Sequence, residues 1–160
     1  MTKVAKNPDD PAGNPERIPS LGELLDIPAM QGLLEDFHGL EDISVAIVDS
    51  KGRVLVKAGW QDICTRFHRV HPDTHRHCVE SDTVLAAAAE PDRPGIYRCK
   101  NGLWDMAAPL VIAGQRLGHL FMGQVLFDDE PADEEAFRKQ ARRCGFDEKD
   151  YLAALARVPR

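Results

Sequence analysis

No stretch of this 160-residue chain is apolar for long enough to cross a bilayer, and its N-terminus is too polar for a secretory signal. Both absences predict a cytoplasmic protein, in a compartment that keeps cysteines reduced. Basic charge is also short. The 20 Lys and Arg stand against 26 Asp and Glu, a net charge of −6, which argues against direct nucleic-acid binding because that needs clustered cations. Catalytic signatures are missing too: there is no phosphate-cradling glycine loop, no His-Glu-x-x-His, and no serine in a nucleophile elbow. Nor is there a Cys-x-x-Cys pair, the spacing that would make a zinc site a strong reading. No internal repeat is found.

What remains has the size and composition of one globular domain, with 43% hydrophobic residues. Residues 1–19 carry Pro8, Pro11, Pro15 and Pro19 among small polar residues and read as a disordered leader or linker. Residues 20–159 read as the domain. Ser20, with Glu23 three residues on, forms a capping box for a first helix, and a second helix should follow Pro28. Ile43 to Val48, the turn Asp49-Ser-Lys-Gly52, and Arg53 to Lys57 read as a hairpin. Residues 61–70 and then 74–89 look helical, with Pro72 between them. Three strands follow at 95–99, 104–112 and 117–127, then helices over 134–144 and 147–157, with Gly145 as C-cap. Five strands joined mostly by hairpins predict an α+β fold, an antiparallel sheet with helices on one face.

The chemistry concentrates in the middle of the chain. Cys64 and Cys78 bracket four of the six histidines, and Cys99 follows on a strand. On a helix Cys64 and His68 would share a face, as would His75 and Cys78. Cys64, Cys78, Cys99 and one histidine would make a tetrahedral metal site. Buried cysteines also serve as ordinary small hydrophobes or as pocket lining, and spacing does not choose among these readings. Cys144 reads as a packed residue, and most of the histidines as solvated surface.

A longer pattern joins these residues. Cys64 is followed by Phe67 and Arg69, then Pro72, then Cys78-Val-Glu-Ser81-Asp82. Tyr97-Arg-Cys99-Lys-Asn-Gly102-Leu-Trp-Asp105 comes next, then Ala108-Pro109-Leu110-Val111, and Leu117-Gly118 leading to Gly123-Gln124. The chain closes with Ala153-Ala-Leu155-Ala-Arg-Val158-Pro159. From about Leu21 to Pro159 it resembles the PocR sensory domain, a PAS-like ligand-binding module of bacterial signalling proteins. The resemblance implies a PAS-like five-stranded antiparallel sheet flanked by helices, a sensory role, and simple hydrocarbon derivatives as the ligand class. The chain departs from the pattern at Lys100, where many members carry a histidine, and this weakens the case for a ligating group there.

The resemblance makes Cys64, Cys78 and Cys99 a shared functional trio. Two kinds of occupant are expected: a metal centre, either zinc with His68 as fourth donor or an iron–sulfur cluster with a free coordination position, or a small molecule walled by Trp60, Trp104 and Gln124. The domain would relay binding to a fused effector or a partner protein, with a homodimer as one candidate assembly, and no enzymatic activity is expected. Two rival readings stand beside this one. One is a thiol redox switch or small cysteine-dependent enzyme; the other is a structural module whose cysteines simply pack.

Overall fold

The computed structural model describes residues 19–90, 93–130 and 132–160. Apart from Pro19, the leader expected over residues 1–19 lies outside the described residues. Helix α1 (Leu21–Leu24) opens at Ser20, whose backbone N–H donates to the Glu23 carboxylate at 2.8 Å, as the capping box required. Helix α2 (Ile27–Glu41) begins where the Asp26 carboxylate accepts the Ala29 N–H, with Pro28 in its first turn. It stops at Asp42, which turns left-handed at φ 54°.

Strands β1 (Ser44–Asp49) and β2 (Val54–Ala58) form the expected hairpin. Its turn is built by Asp49, whose Oδ1 accepts the N–H groups of Lys51 and Arg53, both at 2.9 Å. The second strand group is β3 (Gly95–Arg98), β4 (Trp104–Ile112) and β5 (Gln115–Val125). Ala113 and Gly114, at φ 50° and 76°, make the two-residue turn between the last two. Positive φ at both central residues matches the twist of a tight hairpin. All pairs are antiparallel and the sheet order is β2-β1-β5-β4-β3, the PAS-like arrangement expected.

The helices cover both faces of the sheet, where one was expected. Every residue of β1 is buried, because the strand lies between β2 and β5 and has an apolar residue on each side of its pleat. Val45 and Ile47 pack with Leu21 and Leu34 of α1 and α2. Ala46 and Val48 face the other way, toward Ala86 and Phe121. Residues 61–89 lie over that second face.

This covering segment also departs from regular helix. Residues Ile63–His68 wind as a π-helical turn, with the Arg69 N–H donating to the Cys64 carbonyl five residues back at 2.9 Å. Helix α3 (Pro72–Glu80) then starts at Pro72, but the expected continuation to residue 89 breaks. A π-helical turn covers Ser81–Leu85 and a 3₁₀ turn covers Ala86–Ala88. The local cause is side-chain competition for the helix carbonyls. Ser81 Oγ donates to the His77 carbonyl at 2.8 Å and Thr83 Oγ1 to the Val79 carbonyl at 2.6 Å, a pairing that loosens the ladder.

Helices α4 (Glu134–Cys144) and α5 (Glu148–Leu155) end the chain, separated by Gly145 at φ 69° as the C-cap predicts. Their core residues Phe137, Ala141, Tyr151 and Leu155 close on Ile63, Cys64 and Phe67 of the first π-helical turn.

Candidate functional site

Between the sheet and its cover lies a cavity of about 40 Å³. A π-helical turn places residues four and five apart on one face, so Cys64, His68 and Arg69 all line it. Cys78, Ser81 and Asp82 enter from α3 and the second π-helical turn, and Cys99 enters from the end of β3. The floor is the sheet, with Ala46, Val48, Phe121 and Asp105; Trp60 and Gln124 close the sides.

Six of the seven residues expected at the site therefore meet in one cavity. Trp104 is the one that does not. It lines a separate surface groove with Ile96, Met106, Met122 and Phe127, since neighbours on a strand point to opposite faces and Asp105 takes the turn toward the cavity. Cys144 is buried at the end of α4, outside the cavity. Of the other histidines, His75 is exposed, His71 caps α3, and His77 meets Asn101 at 3.3 Å.

The cavity thiols are uncharged at neutral pH. Burial, followed by the nearby Cys99 and Asp105, pushes the Cys64 thiol well up. Burial raises Cys78 to about 11, and burial with the Asp105 charge raises Cys99 to about 12. Each thiol is also positioned. Asn101 Nδ2 donates to Cys78 Sγ at 3.2 Å, and the Leu103 N–H donates to Cys99 Sγ at 3.3 Å. A low-pKa thiolate needs a cationic, partly exposed setting; here Arg69 is near, but burial outweighs its charge at Cys64 and Cys78.

His68 is neutral as well. Burial, then the charge of Arg69, lowers it to about 3. Its Nε2 shares a 2.6 Å hydrogen bond with the Tyr151 hydroxyl, so the imidazole is committed to α5. Among the described residues, no three His, Cys, Asp or Glu side chains are grouped so as to hold a metal ion. The expected set of Cys64, Cys78, Cys99 and His68 shares the cavity.

Tyr151 is fully buried, and its hydroxyl also accepts from Gln140 Nε2 at 3.0 Å. Tyr151→Phe leaves the buried His68 ring without its partner, a loss of about 1–3 kcal/mol. Urea denaturation, with the ring volume kept, reads that loss directly.

Three charged residues complete the site, and none was assigned a role by sequence reasoning. Arg69 pairs with Asp82 at 2.6 Å and lays its guanidinium over Trp60, 4.3 Å from the ring centroid. Asp105 has no such partner. Its Oδ1 accepts the Gln124 N–H at 3.1 Å. Burial, then the Asp82 charge, pushes its carboxyl up to about 7. The only sequence signal for these residues was that all three fall inside the recurring pattern around the cysteines.

Gln124 reaches the site through a β-bulge. Trp104 pairs with Val125 and Asp105 with Gly123, which leaves Gln124 over. Gln124 sits at φ 59° and Gly123 at φ 151°. Bulges re-aim side chains beside functional sites, and here Gln124 Oε1 accepts the Gln61 N–H at 2.7 Å. The sheet is thereby tied to the start of the covering segment. Close by, the Tyr97 hydroxyl is buried without a hydrogen-bond partner, and Asp105, Asp82 and Cys99 act on it electrostatically.

Comparison with known proteins bears on this geometry. Residues 23–160 match the family model described as the sensory domain found in PocR. Over 100 residues the chain is 32% identical to the regulatory protein PocR of Salmonella typhimurium. The match covers 61% of this chain and 33% of that protein, so the chain spans about a third of its relative's length.

Proposed function

This chain belongs to the family of sensory domains found in PocR, and from that membership we propose that it captures a small organic molecule in the three-cysteine cavity. The observation that carries the reading is the cavity itself. It gathers Cys64, Cys78, Cys99, Trp60 and Gln124 around a space of about 40 Å³. That exceeds the ~10–15 Å³ one water needs and suits an occupant of a few heavy atoms. The walls are mostly apolar with a few convergent polar groups, the usual construction of a small-molecule site. The thiols act as neutral, polarizable lining.

Occupancy would be relayed to an effector or partner protein through the C-terminal helices. Two cavity residues already reach them. His68 bonds Tyr151 on α5, and Cys78 bonds Asn101, whose Oδ1 accepts from Gln140 of α4 at 3.4 Å. A ligand that favours one placement of Cys78 and His68 biases both helices, which is what a signal requires. Among the described residues no helix is long and apolar enough to cross a membrane, and a cytoplasmic site of action fits the free thiols. The redox-switch and enzyme readings are weaker because buried neutral thiols are poor nucleophiles.

Thermal denaturation of the purified chain against a panel of short-chain alcohols, amines and acids tests the proposal. One class should raise Tm with concentration, by an amount equivalent to about 2.7 kcal/mol at a hundredfold excess over Kd. Cys78→Met, which fills the cavity, should abolish the rise. Stoichiometric metal in the purified protein, with Tm lowered by a chelator, would replace this reading with the metal one.

A further inference from the structure

We propose that Asp105 is the residue that holds the polar end of the ligand, accepting a hydrogen bond from it through Oδ2. The inference rests on reading the cavity as a ligand site. Two carboxylates line that cavity, and they are treated differently. Asp82 has a cationic partner, the Arg69 guanidinium, which holds its Oδ2 at 2.6 Å. The hydrogen-bond partner of Asp105 is uncharged, the Gln124 backbone N–H on Oδ1. Its Oδ2 has no hydrogen-bond partner among the described residues. The bulge at Gly123 and Gln124 exists at this point of the sheet and frees the N–H that aims Asp105. A backbone irregularity that orients one unpaired carboxyl in a small cavity is a recognition device.

The surroundings define what Asp105 will accept. The groups facing it are Asp82 and Arg69 from the covering segment, the thiols of Cys64, Cys78 and Cys99, and Tyr97 from β3. Asp82 and Arg69 offset one another, and the thiols and Tyr97 are uncharged. Asp105 is thus the one cavity acid without a countercharge of its own, and a buried carboxyl in that position keeps its proton until something replaces it. A ligand with a hydroxyl or ammonium group supplies that replacement. The ligand donates a hydrogen bond to the carboxylate, and the carboxyl proton leaves to solvent. Capture therefore strengthens as pH rises, up to the midpoint of the free carboxyl, and is flat beyond it.

The test is an NMR titration of the whole chain, following the Asp105 carboxyl carbon and the Trp60 and Phe121 side chains. Methanol and methylammonium serve as separate probes of the hydroxyl and ammonium cases. Affinity for the probe that binds should rise about tenfold per pH unit below the midpoint, and adding that probe should lower the midpoint. Asp105→Asn should weaken binding at least tenfold above the midpoint and remove the pH dependence. Binding of methylammonium alone assigns a cationic ligand, and binding of methanol alone a hydroxyl; either supports the proposal. If Trp60 and Phe121 respond but affinity is flat with pH and Asp105→Asn binds equally well, Asp105 is not the anchor and the cavity reading survives. If neither probe moves any cavity resonance, both readings fall.

Discussion

Gly123→Ala is expected to remove most of the stability of this domain. Gly123 holds φ at 151°, a backbone region open almost only to glycine, where another residue carries about 1–3 kcal/mol of strain. Space is lacking as well. A Cβ there would stand 2.7 Å from Asp105 Cα and 2.8 Å from the Trp104 carbonyl oxygen. Both are backbone atoms of the paired strand, so β4 and β5 would have to part where they build the bulge. Overpacking of this kind adds about 1–3 kcal/mol, and the sum is a large share of the 5–15 kcal/mol that holds a typical domain folded. Gly114→Ala is the matching control. Gly114 also has positive φ, at 76°, but nothing lies within 4 Å of its Cβ position, so only the conformational part, about 1 kcal/mol, should be lost. Urea unfolding of the two variants separates strain from collision. Equal losses would show that the close approach of the strands does not matter.

Asp105→Asn should do the opposite at neutral and alkaline pH and stabilise the fold. The Asp105 carboxyl sits near 7 in the folded chain against an ordinary 3.8, owing first to burial and then to Asp82. Between those values the folded state keeps a proton that the unfolded state has lost. Stability therefore falls as pH climbs from about 4 and levels off above about 7, and the ionised carboxylate then costs at most about 4 kcal/mol. Asparagine keeps an oxygen to accept the Gln124 N–H and never ionises. The variant should match the native chain near pH 4 and exceed it at pH 8, as read by the urea midpoint at each pH. A constant difference across the range would mean that Asp105 titrates normally. If Asp105 also anchors the ligand, the stabilised variant will bind poorly, the expected exchange between stability and a strained functional group.

How much of this was legible beforehand follows from the distance over which each feature is determined. The Ser20–Glu23 capping box, the Asp49 turn and the cap at Gly145 all depend on partners within a few residues, and each is where the sequence places it. The strand order follows from the hairpins and the resemblance together. Cys64, Cys78, Cys99 and His68 line one cavity. Trp104 lines a different groove because it alternates on β4 with Asp105, which faces the cavity, and the sequence does not tell which of the two neighbours faces inward. The 74–89 helix failed because Ser81 and Thr83 compete for its carbonyls while Arg69 holds Asp82 from another segment.

By itself, then, the sequence determined the Ser20 and Gly145 caps, the hairpin turns and the family. Only the tertiary structure decided the state of the cavity residues. Burial raised the thiols and paired His68 with Tyr151 while bringing Cys64, Cys78 and Cys99 to one cavity. It also gave the two cavity acids different partners, since Arg69 pairs with Asp82 and the Gln124 N–H with Asp105. Charge and protonation depend on solvent exclusion and on partners brought from distant segments, and these exist only once the chain has folded.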